Sequence, residues 1–340
     1  MTQTLADLGE SGLLKRIFAL LPVGTHTVLG PGDDAAVVAA PDGRVVATTD
    51  MLVEDRDFRR DWSSAADVGW KAAAQNLADI AAMGAVPTAL LVGLAAPSDT
   101  EVAWALQMCE GLAAACAGTG VGVVGGDLSA ASQIVVSVTA LGDLQGRQPL
   151  LRSGARPGDA VAVAGRLGCS AAGLALLQLG RQDLSPSLVQ AHQRPRPPYD
   201  HGPAAADAGA TAMLDVSDGL LRDVGRIAAE SAVTVDLFVA SDPDLDAVRG
   251  GRLAELREAL RPTACQLPGD SAEVDRRCTG WVLTGGEDHS LLATFPADAV
   301  LPEGFEVIGA VLPRLRGWPP VVLDGSGTWD GAVGWDHFGG

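Results

Sequence analysis

The chain has 340 residues, enough for two domains with a core each, and its 47% hydrophobic content marks it as globular rather than disordered. A formal net charge of −18 excludes the clustered basic surface on which nucleic-acid binding rests, so no nucleic-acid partner is expected. An acidic protein that handles phosphate would need metal ions to cancel the repulsion. Only two lysines occur, Lys15 and Lys71, and no Gly-x-x-x-x-Gly-Lys-[Ser/Thr] stretch, which rules out a P-loop.

The five cysteines form no Cys-x-x-Cys pair and read as core fillers or loop thiols of a reducing compartment. Residues Met1 to Glu10 carry no basic n-region, and no apolar run approaches the length of a membrane span. A cytoplasmic protein with no membrane partner is expected.

In chain order, Leu5 to Leu21 has apolar residues at helical spacing and predicts one amphipathic helix ending at Pro22. Gly30-Pro-Gly-Asp-Asp-Ala35 follows, a turn carrying two adjacent carboxylates. Taken alone it fits a turn with two solvated acids as well as a ligand site. Ala35 to Ala40 and Arg44 to Thr49, separated by Pro41-Asp42-Gly43, read as a hairpin that would set Asp33 and Asp34 near Asp50. Asp67 to Met83 predicts a helix stopped by Gly84 and Pro87, with Asn76 and Asp79 on one face. Ala85 to Ala95 reads as a strand, Thr100 to Ala117 as a helix and Gln133 to Leu141 as a strand. The resulting order, αββαβαββ, predicts a mixed sheet with helices on one face. Gly120-Val-Gly122-Val-Val-Gly125 matches a dinucleotide fingerprint in letters only, since a helix precedes it and a strand follows.

A Gly-, Pro- and Arg-rich stretch, Leu144 to Gly158, predicts a boundary between domains at 1–148 and 149–340. Beyond it come strand Asp159 to Gly165, helix Ser170 to Leu179, a stiff Pro-rich loop over 193–198 and a short helix starting at Pro203. Strand Thr211 to Val216 leads into Ser217-Asp218-Gly219 and helix Leu220 to Ser231, with Ser217 or Asp218 as its expected N-cap. Val233 to Val239 is read as strand, Leu245 to Leu260 as helix, Trp281 to Thr284 as strand before Gly285-Gly-Glu-Asp288. Ser290 to Phe295 and Phe305 to Val311 are read as strands. His289 reads as a strand residue rather than a base.

Carboxylates beside Gly, Ser or Thr recur at Asp50, Asp127, Asp215, Asp218 and Glu287. Such oxygen donors suit Mg²⁺, Mn²⁺ or Ca²⁺, and no His or Cys cluster offers a zinc site. Neither an EF-hand loop nor a Ser-His-Asp order stands out. Acids spread over two domains fit a shared multi-Mg²⁺ site holding a polyphosphate.

These motifs resemble those of the thiamine-monophosphate kinase family, in the superfamily of aminoimidazole ribonucleotide synthetase and selenophosphate synthetase. The stretches are Gly30-Pro-Gly-Asp-Asp-Ala35, Thr48-Thr-Asp50, Asn76-Leu-Ala-Asp79-Ile-Ala-Ala-Met-Gly84-Ala-Val-Pro87, Gly125-Gly-Asp127, Arg152-Ser-Gly-Ala-Arg-Pro-Gly-Asp159, Leu214-Asp-Val-Ser-Asp-Gly-Leu220, Leu283-Thr-Gly-Gly-Glu-Asp288 and Gly334-Trp-Asp-His-Phe338. They run in family order through nearly the whole chain.

The resemblance implies an α/β (α+β) architecture. Its N-terminal mixed sheet forms the dimer sheet of a homodimer, and ATP and several Mg²⁺ ions lie in a cleft between the domains. It implies metal ligands at Asp34, Thr48, Thr49, Asp50, Asp79, Asp127, Asp215 and Asp218. ATP contacts are implied at Gly126, Asp127, Arg152 and Ser217, and catalytic roles for Asp79, Asp127, Asp215 and Arg152. Glu287 and Trp335 would meet thiamine phosphate. The family commonly places a His before Phe58; here Asp57 stands in that substrate position. The implied reaction is direct in-line transfer of the γ-phosphoryl group of ATP to thiamine monophosphate. The competing expectations are a related ATP-dependent synthetase and a nucleotide-binding maturation factor without turnover. A selenide-using relative would carry a reactive Cys near its N-terminus, whereas the first Cys here is Cys109.

Overall fold

The computed structural model describes residues 3–32, 35–240, 251–314 and 316–336. Two compact units emerge, Met1–Ile80 with Ala85–Gly146, and Ala81–Gly84 with Arg147–Gly340.

The first unit contains helices α1 (Leu5–Leu8), α2 (Glu10–Phe18), α3 (Ala65–Ala82) and α4 (Val102–Cys116). Its strands are β1 (Thr27–Leu29), β2 (Val37–Val38), β3 (Val46–Val53), β4 (Val86–Ala96), β5 (Gly122–Ala130) and β6 (Val135–Asp143). The main sheet has the order β3-β6-β4-β5, parallel only between β4 and β5. Alternation along β6 sends Val136, Val138 and Ala140 into the core and leaves Val135, Ser137 and Thr139 half-buried on the other side. Helix α3 covers the core face, where a Cβ on Gly142 would fall 2.3 Å from Ile80 Cγ2. Helices α3 and α4 touch backbone to backbone: a Cβ on Gly69 would lie 1.9 Å from Met108 O, and one on Gly111 2.0 Å from Ala66 O.

The second unit holds a six-stranded sheet of order β12-β9-β11-β7-β10-β8, with β7 (Ala160–Ala164), β8 (Ala212–Val216), β9 (Val233–Leu237), β10 (Ser290–Phe295), β11 (Phe305–Pro313) and β12 (Val321–Leu323). Its helices are α5 (Cys169–Gln178), α6 (Pro186–Gln193), α7 (His201–Asp207), α8 (Leu220–Glu230), α9 (Arg252–Ala264) and α10 (Ser271–Thr284). Both faces of the sheet are buried. Val161, Val163, Leu214, Val235 and Leu292 join one core with α8, α9 and α10. Ala162, Ala164, Met213, Leu291 and Phe295 join another with Ala205 of α7.

The α/β class and the mixed N-terminal sheet with helices on one face stand as expected. Several local expectations are corrected. The opening helix breaks at Gly9, whose φ of 70° is left-handed, and ends at Phe18. The hairpin between 35–40 and 44–49 does not form. Val37–Val38 pairs with Thr27–Leu29, and β3 pairs with β6, which buries Leu52 and half-buries Thr48. Asp33 and Asp34 lie outside the described residues, so the hairpin no longer sets them beside Asp50. Residues 281–284 are the last turn of α10 rather than a strand, because the ten helical residues before them and the capping box at Asp270 and Glu273 carry the helix through. The helix expected over 245–260 is described from Arg252, and 241–250 lie outside the described residues.

Candidate active site

In the first unit β3 runs through the Thr-Thr-Asp stretch instead of ending at it. Alternation therefore sends neighbours to opposite faces. Thr48 and Asp50 share the helix face. Thr48 Oγ1 donates to Asp79 Oδ2 at 2.8 Å, and Asp50 N donates to Asn76 Oδ1 at 2.9 Å. Asn76 is fully buried and anchored in turn by its Nδ2 on Ala72 O at 2.9 Å. One turn of α3 thus fixes the backbone of Asp50 and the hydroxyl of Thr48 together. Thr49 points to the open face, where its Oγ1 donates to Val138 O and accepts from Thr139 Oγ1.

Asp127 also lies on the open face, in register with Gly93, Ser137 and Met51. It is exposed on β5, and Asp50 is exposed at the opposite edge on β3. Three strand spacings, about 14 Å, separate these edges. Hard cations hold oxygen ligands at about 2.0–2.6 Å, so Asp50 and Asp127 of one chain cannot grip one ion. Gly126 has a reason beyond phosphate approach: a Cβ there would fall 1.9 Å from Val92 O. The glycine-rich stretch lies in a strand and not ahead of a helix, in keeping with the rejected dinucleotide reading. Asp57 turns its Oδ2 onto Val53 N at 2.9 Å, closing the bend after β3.

In the second unit the candidate residues gather where β8 ends and β10 begins. Asp215, the fourth residue of β8, is buried and its Oδ2 lies 3.0 Å from Nδ1 of buried His289. Because an ionised carboxylate only accepts, this contact places the imidazole proton on Nδ1. His289 precedes β10 rather than lying in it. Glu287 and His289 both have left-handed φ, 63° and 52°. Such a conformation persists only where the surroundings over-determine it, and here they do. Glu287 N donates to Ser217 O at 2.8 Å and His289 N to Val216 O at 3.0 Å. Gly286 makes the approach possible, since a Cβ there would sit 2.3 Å from Ser217 O.

Asp288 is buried between them and accepts from Gly168 N at 2.6 Å and Ser170 N at 2.9 Å, at the first turn of α5. Burial pushes its pKa up to about 7 against the downward pull of these two N–H groups.

Asp218 is not the N-cap of α8, and neither is Ser217; Gly219 occupies that position. The orphan N–H groups of Asp218 and Gly219 go instead to Oδ2 of fully buried Asp223 at 3.0 and 3.1 Å. Burial raises the pKa of Asp223 to about 7, Arg226 opposing. Arg226 bridges Asp223 and Asp218. The chain end closes over this turn: Trp335 N donates to Asp218 O at 2.8 Å, and Arg222 Nη2 to Asp336 Oδ2 at 2.9 Å. The Trp335 ring stays more than half exposed. His337 and Phe338 lie outside the described residues. Arg152 is exposed on a loop whose backbone is tied by Ser231, and Met213 N donates to Leu151 O, so Arg152 follows a segment bonded to the outer edge of β8.

Sequence reading missed Asn76 as an anchor, Asp223 as the acceptor that holds the turn before α8, and the pairing of His289 with Asp215. The spacing of Asp223 five residues after Asp218 was the available signal for that turn contact. No three His, Cys, Asp or Glu side chains converge on one ion among the described residues. The donor set Thr48–Asp50–Asp79 consists of oxygens alone, which suits a hard divalent cation that completes its shell with phosphate and water, while Thr49 and Asp127 share the open face but stand at its opposite edges, three strands apart.

Two family models cover the chain in succession: AIR synthase related protein, N-terminal domain, over residues 32–144, and AIR synthase related protein, C-terminal domain, over 156–260. Together with the two sheets they define the class, a two-domain AIR synthase-related protein. A thiamine-monophosphate kinase of Mycobacterium tuberculosis (strain ATCC 25618 / H37Rv) is 48% identical over 336 residues, covering 99% of this chain and 93% of that protein. Thiamine-monophosphate kinase from Stenotrophomonas maltophilia K279a superposes with a TM-score of 0.72 at 28% identity, covering 94% of this chain and 96% of that one. AaThiL complexed with AMPPCP and TMP superposes with a TM-score of 0.70 at 30% identity, covering 99% and 100%. The chain belongs to the thiamine-monophosphate kinase family.

Proposed function

We propose that this chain transfers the γ-phosphoryl group of ATP to thiamine monophosphate, giving thiamine diphosphate and ADP. The observation that carries this reading is the 48% identity to a thiamine-monophosphate kinase along 99% of the chain. It makes the chain an enzyme, a kinase of thiamine biosynthesis with ATP as co-substrate.

The acceptor is a phosphate monoester, largely dianionic near neutral pH, so it needs no strong general base. Two anions must approach, and charge is the obstacle. Magnesium, when bound, neutralises the phosphate oxygens of donor and acceptor. Thr48, Asp50 and Asp79 would hold it on the helix face of the N-terminal sheet, Thr49 and Asp127 would each offer an oxygen to separate ions at opposite edges of the open face, and Asp34, Asp215 and Asp218 would complete the set. Asp79 holds the Thr48 hydroxyl, and His289 holds Asp215, so each carboxylate keeps one oriented rotamer. For Asp218 the Arg226 contact must yield part of the carboxylate. Gly126, Asp127, Arg152 and Ser217 would contact ATP, and Arg152 would add positive charge at the nucleotide. Glu287 and Trp335 would meet thiamine phosphate, the half-exposed indole offering a face to an aromatic ring. Asp57 already serves the backbone of Val53 through one oxygen; its other oxygen can face the cationic thiazolium but cannot donate to phosphate as a His would.

The open face of the N-terminal sheet presents Met51 and Leu91, both exposed. We infer that a second copy covers this face in a homodimer, as expected for the family sheet. Five free cysteines suit a reducing cytoplasm, and no described helix is long and apolar enough to cross a membrane.

The test is incubation of the purified chain with Mg²⁺-ATP and thiamine phosphate, with chromatography of the thiamine esters. Thiamine diphosphate should accumulate with ADP. ATP binding without any thiamine diphosphate would move the protein to the maturation-factor class.

A further inference from the structure

His192 is buried on α6 and plays no part in the chemistry above. Its position is set by close helix packing: a Cβ on Gly173 of α5 would fall 2.0 Å from Leu188 O and 3.1 Å from His192 Cβ. This approach carries the ring to the inner side of Glu287. His192 Nδ1 lies 3.2 Å from Glu287 Oε2 and 3.0 Å from Ser170 Oγ. The Glu287 side chain is a third exposed, so it presents part of itself to solvent and part to the histidine.

The backbone around Glu287 is already rigid. Its left-handed φ and the bond from its N–H to Ser217 O fix the Cα–Cβ direction. Asp288 ties the next residue to the first turn of α5, which also supplies Ser170. The rotation of the carboxylate is what the backbone does not fix, and His192 Nδ1 stands within bonding distance of it. Only an Nδ1–H imidazole can serve, because the ionised carboxylate accepts and does not donate. Ser170 Oγ then stands as a second acceptor to the same proton.

We propose that His192 is a positioning residue for thiamine phosphate recognition: its Nδ1–H orients the Glu287 carboxylate toward the substrate. The proposal rests on the assignment of Glu287 to the substrate. A group held by a neutral donor remains anionic and so remains able to meet a cationic ring. The nucleotide contacts are assigned to other side chains.

Steady-state kinetics of His192→Asn, His192→Gln and Glu287→Gln test this, with each substrate varied at saturating concentration of the other. An Asn amide nitrogen sits where Nδ1 sits; a Gln amide nitrogen sits where Nε2 sits. His192→Gln should raise KM for thiamine phosphate about tenfold, in keeping with a lost bond to a charged group. KM for ATP should be unchanged, and His192→Asn should retain most of the native KM. A role in packing alone would move the two variants equally, and that result would overturn the proposal. So would a native KM in His192→Gln alongside an impaired Glu287→Gln, which leaves the Glu287 assignment standing. An unchanged KM for thiamine phosphate in Glu287→Gln would remove the assignment and the proposal together. Should His192→Gln lose its melting transition, His192→Asn decides alone: a KM raised as far as in Glu287→Gln contradicts the proposal.

Discussion

Asp79 and Asp215 illustrate how differently two carboxylates of one reading are held. Asp79 sits half-buried on a helix and accepts from a threonine hydroxyl, whereas Asp215 is buried in a strand against a histidine. Both are expected to lose function on conversion to the isosteric amide. Asp79→Asn and Asp215→Asn should each lower kcat by about 100-fold or more, the scale of a lost electrostatic contact to the transition state. Melting temperatures should stay near native. Turnover assays and thermal denaturation on the same preparations check this, and near-native turnover in both would remove the metal role. The candidate residues were legible in sequence because motif order carries chemistry. Which way they face was not. Thr48 and Thr49 are adjacent letters on opposite faces, and the separation of Asp50 from Asp127 follows only from the order β3-β6-β4-β5. Asp223 was silent because a buried acceptor looks like any acid in a helix's first turn.

At the scale of elements, periodicity located most helices and strands to within a few residues, since each carries its own burial pattern. It failed where partners were distant. The hairpin expected around Pro41-Asp42-Gly43 lost to the long-range ladder between β3 and β6, which local turn chemistry does not encode. Two consequences are measurable. The α3–α4 contact tolerates no side chain at Gly111, so Gly111→Ala should destabilise by about 1–3 kcal/mol or more, the range for an overpacked core. Urea denaturation reads this directly; unchanged stability would contradict the backbone contact. The second concerns the cap of α5. Burial raises Asp288 from the ordinary aspartate value of 3.8 to about 7, so between these values the folded state binds more protons than the unfolded one. Its contribution is present at low pH and is lost as pH rises through about 7. In Asp288→Asn that slope should vanish, and the difference in melting temperature between native and variant should shrink or reverse as pH rises. Parallel curves would show that Asp288 ionises at its ordinary value.

At the scale of the whole molecule, the two units have separate sheets, and each carries part of the residue set proposed for the reaction. The N-terminal unit brings oxygen donors on both faces of its sheet, and the C-terminal unit brings the strained segment 287–289 and the turn at 217–219. The exposed Met51 and Leu91 of the open face predict a dimer in sedimentation at micromolar concentration; a monomer would leave both side chains in solvent. Central to the proposed chemistry is transfer of the γ-phosphoryl group of ATP to thiamine phosphate. ATP labelled at its γ-phosphorus, incubated with the native chain, Mg²⁺ and thiamine phosphate, tests it most directly. Label is expected in the terminal phosphate of thiamine diphosphate, in equal amount to the ADP formed. Label found only in inorganic phosphate, with thiamine phosphate unchanged, would contradict it.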